Sequence, residues 1–126
     1  MSRYLPSSRV LLGVAAGGAL GGVARVGSGL LAASFLPDLP GWLVLVALNV
    51  VGSFLMGLVV ARGGTWVSPA VTTGVLGGFT SFSGWVLDVM RLAEPAPLLA
   101  LLLLLVVPVA TVAACVVGLV AGGETT

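Results

Sequence analysis

The chain has no histidine, no lysine and one cysteine, and only 7% of its 126 residues are charged. Each shortage closes off a class of function. Hydroxyl nucleophiles need a neighbouring base or a metal, so the absence of histidine and lysine leaves a hydrolase hard to assemble. A lone Cys115 gives neither an intramolecular disulfide nor a cysteine metal site, and reads as a small core residue. Soluble domains carry about 25% charged residues, and this chain falls far below that. With a net charge of +1 and five scattered arginines, it offers no footprint for nucleic acid.

What is abundant is apolar: 59% of residues are hydrophobic. About 20 apolar residues cross a bilayer as a helix, and the pattern predicts four spans, at 10–33, 41–60, 67–89 and 98–120. These consume nearly the whole of residues 1–126, so the expectation is an all-α membrane protein, one four-helix transmembrane domain without a soluble domain. No cleavable-signal pattern opens the chain, and a frayed tail is expected from Gly122. Trp42 and Trp66 fit interfacial anchors, and Arg62-Gly63-Gly64-Thr65 makes a tight link between antiparallel spans two and three. The arginines lean slightly towards an N-inside orientation, with Arg3, Arg9 and Arg62 against Arg91.

Within the first span Gly13, Gly17 and Gly21 recur every four residues, and Arg25 follows in register. Small residues at that spacing let helices approach closely. A lipid-facing arginine costs at least ~2.5 kcal/mol at mid-membrane, so Arg25 calls for partners or water. It is either tied to carbonyls at a helix end or serves as a vestibule charge that draws anions. In the second span Asn49, Gly52, Ser53, Met56 and Gly57 share one helical face turned towards protein. Asn49 there is either interhelical glue or part of an ion path. The last span is plainly aliphatic, with Pro108, Thr111, Cys115 and Gly118 on one face.

The stretch Gly77-Gly78-Phe79-Thr80-Ser81-Phe82-Ser83-Gly84-Trp85 is foreign to an ordinary span. Glycines around three hydroxyls at mid-depth predict a helix that breaks, which is tolerated only inside protein or along a cavity. A break frees carbonyls that suit a cation and N–H groups that suit an anion. Hydroxyls and the Asn49 amide can donate to a desolvated anion, and the edge of Phe82 carries positive quadrupole charge. The only acidic candidate for proton coupling is Asp88, at the end of the third span. A small multidrug exporter would need a carboxylate in the first span, which is missing. A purely structural subunit would leave the hydroxyl cluster unexplained.

Three motifs, in order, resemble the Fluc (CrcB) family of small fluoride channels. They are Gly17-Gly18-Ala19-Leu20-Gly21-Gly22-Val23-Ala24-Arg25, then Asn49-Val50-Val51-Gly52-Ser53-Phe54, then Thr72-Thr73-Gly74-Val75-Leu76-Gly77-Gly78-Phe79-Thr80-Ser81-Phe82-Ser83. The resemblance implies four transmembrane helices with a break in the third, working as an antiparallel, dual-topology dimer in a bacterial-type plasma membrane. It implies passive export of fluoride. Asn49 and Phe82 would line the ion path, with Thr80, Ser81 and Ser83 as the hydroxyls beside it. Gly77 and Thr80 would give backbone carbonyls to a structural sodium ion at the dimer centre. Arg25 would be the vestibule arginine, and Asp88 stands where the family usually has glutamate. The sequence departs from the family at Trp85, in place of the second pore phenylalanine, and at Gly84, in place of a usual threonine. The fourth span also lacks the family's row of hydroxyls. These departures leave two assemblies open: a homodimer, or a heterodimer with a related subunit in which one pore is degraded.

Overall fold

The computed structural model describes residues 6–123, without the side chain of Trp66. The charge assigned to Arg3, the anchoring role of Trp66 and the tail residues 124–126 therefore lie outside the described part. All regular structure among the described residues is helical. Helix α1 spans Ser8–Phe35 and α2 spans Gly41–Arg62. A π-helix, Ala70–Leu76, runs into the single turn α3, Gly77–Phe79; α4, Phe82–Leu92, and α5, Pro97–Gly123, follow.

Local chemistry sets the ends of these helices. Ser7 caps α1 by accepting from the Val10 N–H, and the two prolines of Pro37-Asp38-Leu39-Pro40 separate α1 from α2. Gly63 ends α2 with φ of 64°, in the left-handed region that glycine enters without steric cost. At the far end α5 stays helical through Gly123, which corrects the expectation of a frayed tail from Gly122. Gly122 is buried there, and a Cβ on it would come within 2.6 Å of the Ala61 Cβ.

Helices α1, α2 and α5 are each long and apolar enough to cross a membrane. At 1.5 Å per residue, the 28 residues of α1 extend about 42 Å, beyond the ~30 Å hydrocarbon core. The region expected as a third span at 67–89 is built differently. It comprises the π-helix, α3, two residues without helical geometry and α4, which continues to Leu92. Leucines and valines of α1 and α5 are widely exposed, among them Leu12, Val23, Leu105 and Val109. An apolar outer face is what a bilayer requires of a helical bundle.

Two close contacts bring the helices together. Gly17 and Gly21 of α1 are buried, and a Cβ on them would run into the carbonyls of Ala70 and Val75 respectively. The predicted glycine stripe thus seats α1 directly on the π-helix. Gly57 of α2 and Gly118 of α5 form the second contact, where added Cβ atoms would strike the carbonyls of Cys115 and Phe54. Between these seams, α2, α5 and the start of α4 surround the residues that follow.

Candidate functional site

Thr80 and Ser81 separate α3 from α4, with φ/ψ of −83°/155° and −145°/105°, both extended. The local sequence explains the interruption. Serine competes for helical hydrogen bonds and favours the N-cap, and Ser81 Oγ accepts the Gly84 N–H at 3.1 Å to start α4. The Thr80 hydroxyl instead donates to the Leu76 carbonyl at 3.0 Å, closing the last turn before the interruption.

Asn49 holds the interruption from across the bundle. Its Oδ1 accepts the Ser81 N–H at 2.8 Å, and its Nδ2 donates to the Ser81 carbonyl at 3.1 Å. The side chain is 6% exposed and is the buried polar residue of the bundle among the described residues. In an uninterrupted helix the Ser81 N–H would serve the Gly77 carbonyl, and the Gly84 N–H would serve that of Thr80. Both donors are diverted, to Asn49 Oδ1 and Ser81 Oγ, so both carbonyls are released from helical bonding. Gly78, between them, receives the Arg25 Nε–H at 3.3 Å. That is the carbonyl tie anticipated for Arg25.

A cavity of about 250 Å³ opens beside the interruption, lined by Asn49, Ser53, Thr80, Ser81, Phe82, Trp85, Val107, Pro108, Thr111 and Val112. None of these residues carries a charge. Three of their side chains have a hydrogen-bond donor to spare. Asn49 keeps one N–H of its amide, since two are available and one is used. Ser81 uses its oxygen as an acceptor and keeps its O–H. Ser53 makes no side-chain hydrogen bond among the described residues, whereas Thr111 spends its hydroxyl on the Pro108 carbonyl at 2.9 Å. Helix α4 begins at this wall, so the partial positive charge of its N-terminus adds to the same field.

The aromatic pair occupies two different environments. Phe82 is 74% exposed while Trp85 is 4% exposed, yet their ring centroids are 5.2 Å apart with planes at 56°. Trp85 Nε1 is enclosed and has no hydrogen-bond partner. Of the residues anticipated for an ion path, Asn49, Thr80, Ser81, Phe82 and Trp85 come together at the cavity. Ser83 does not line it and is exposed. Ser53 and Thr111 were not anticipated, although Ser53 shares the helical face of Asn49 and Thr111 is the lone hydroxyl of its helix. Arg25 lines a separate cavity of about 260 Å³ with residues of α1, α2 and their connection. Asp88 pairs with Arg91 at 3.4 Å on the surface of α4, a contact of small energetic weight.

Spanning helices around an uncharged, largely apolar cavity that holds a few polar groups define a multi-pass helical membrane protein. The family model described as "CrcB-like protein, Camphor Resistance (CrcB)" matches residues 12–122, and the chain belongs to this CrcB family. Among curated relatives, the fluoride-specific ion channel FluC of Paracoccus denitrificans is 46% identical over 87 residues, covering 66% of this chain and 68% of the relative. The FluC protein of Cereibacter sphaeroides (strain ATCC 17029) is 50% identical over 91 residues, covering 67% and 69%. FluC 2 of Symbiobacterium thermophilum is 39% identical over 94 residues, covering 67% and 72%.

Proposed function

We propose that this protein is a fluoride-selective channel that lets cytoplasmic fluoride leave the cell passively, and that it is not an enzyme. The carrying observation is the cavity at Thr80–Ser81, uncharged and supplied with donors from Asn49, Ser53 and Ser81. A small anion that gives up water needs replacement donors fixed in position, and a narrow path that provides them is selective. Family membership and the names of the relatives support fluoride as that anion.

In this reading the region 67–89 is the third membrane crossing, broken at Thr80 and Ser81. The site is completed by a second subunit, inverted in the plasma membrane: either another copy or a related chain. Phe82, largely exposed beside the cavity, and Gly77, exposed next to the interruption, are suited to being covered by that subunit. Phe82 presents an aromatic edge to the ion, and Ser83 belongs to the path only in the assembled dimer. Arg25 raises the anion concentration in the vestibule it lines with α2.

A structural sodium at the dimer centre fits the donor set of this chain. The carbonyls of Gly77 and Thr80 have lost their helical donors, and hard cations take neutral oxygen ligands of this kind. When bound, the ion would supply fixed positive charge and link two subunits. Asn49 and Ser81 prepare the carbonyls for it by diverting the two N–H groups.

The test is growth of a fluoride-sensitive cell that lacks its own exporter. Expression of this chain, with a related chain if one accompanies it, should restore growth in fluoride. No rescue by protein that reaches the membrane would count against the reading.

A further inference from the structure

Trp85 carries the one fully enclosed side-chain polar atom left without a hydrogen bond among the described residues, its indole Nε1. An orphaned buried donor carries a desolvation penalty, and such a group in a native protein calls for an explanation. Two features make a purely structural account insufficient. A phenylalanine would fill much of the same apolar space without the penalty. Moreover, the residue lines the cavity that holds the available donors of Asn49, Ser53 and Ser81.

We infer that the Trp85 indole N–H is a specificity-determining donor, which takes a small dehydrated anion directly as its hydrogen-bond acceptor. The inference rests on the channel reading above and deepens it at one atom. Indole nitrogen is donor-only, so it attracts an anion and gives a cation nothing to coordinate. Because Nε1 is fully enclosed, contact requires a tilt of the ring towards the cavity and an ion that has shed its hydration shell. Fluoride, whose charge is more compact than that of chloride, is the stronger acceptor for such a donor. The neighbouring Phe82 ring, 5.2 Å from that of Trp85, limits how far the indole swings. The donor thereby adds affinity for the stronger acceptor.

The experiment follows the indole N–H itself. Purified full-length protein, labelled with ¹⁵N at tryptophan and held in lipid bicelles, is titrated with sodium fluoride and separately with sodium chloride. The Trp85 resonance is assigned by its loss in Trp85→Phe, with Trp42→Phe and Trp66→Phe identifying the other two indoles. The expected result is a saturable downfield shift of the Trp85 indole proton with fluoride and none with chloride. Hydrogen bonds to charged groups are strong enough that Trp85→Phe should raise the fluoride concentration needed for half-maximal flux about tenfold. Should that variant fail to fold, replacing Trp85 with an analogue whose indole nitrogen is sulfur keeps the shape and removes only the donor; the same rise is expected.

Fluoride flux through the wild-type chain with an unmoved Trp85 resonance would overturn the inference and leave the channel reading intact. A fluoride-specific shift without flux would support the donor site and count against conduction by this chain alone. Neither shift nor flux would overturn both.

Discussion

Asn49 does two jobs with one amide. Its two hydrogen bonds to the Ser81 backbone fix the interruption, and its remaining N–H is available to the cavity. The sequence placed Asn49 on a protein-facing helical face but left glue and ion path as equal alternatives. The pairing joins residues 32 positions apart, and no local periodicity encodes a contact of that separation. Asn49→Ser shortens the side chain and removes the reach to Ser81, so it should weaken fluoride rescue at equal protein level. It should also lower the melting temperature in detergent, because the half-buried Ser81 groups lose partners worth about 1–3 kcal/mol together. Phe82→Ile should weaken rescue with little change in melting temperature, since the ring is largely exposed and makes few stabilising contacts within its own subunit. Equal loss of stability in both variants would contradict this division of roles.

At the scale of the element, the interruption at Thr80–Ser81 was signalled by composition, since glycines and hydroxyls crowd an otherwise apolar run. The π-helix before it was not. A π-helix has no distinctive residue spacing, and Thr72, Thr73 and Gly74 within Ala70–Leu76 do not mark one. The glycine stripe was legible because small residues at four-residue spacing have a direct steric meaning. Its consequences differ between adjacent positions. Gly21→Ala places a methyl group against the Val75 carbonyl, whereas Gly22→Ala points into open space. The first change should destabilise the protein by about 1–3 kcal/mol, and the second should be near neutral in the same thermal assay. Ser81→Ala removes the cap of α4 and should cost about 1 kcal/mol. Restoration by Ser81→Asp or Ser81→Thr in the stability assay, without restored fluoride transport by Ser81→Asp, would separate the capping role from the anion path.

For the whole molecule, low charge and long apolar stretches made the helical membrane character plain from composition. Three helices have spanning length, and α2 and α5 meet through Gly57 and Gly118 as small-residue packing leads one to expect. The cavity was less legible, because its far wall comes from α5, where Val107, Pro108 and Val112 carry no polar signal. The tightness of the bundle also bears on assembly. The exposed Phe82 and the released carbonyls of Gly77 and Thr80 belong to a surface that, in our proposal, a second subunit completes. If sodium occupies those carbonyls, dimer lifetime in detergent should fall when sodium is replaced by a large organic cation. An unchanged lifetime would argue against a sodium link.

The central claim is tested most directly by fluoride efflux from liposomes that contain this purified chain alone, read with a fluoride electrode and with chloride as the control ion. The account of a self-sufficient pore predicts rapid fluoride release and no chloride release. Release of both ions, or no release from folded protein even with a related chain present, would contradict selective fluoride conduction.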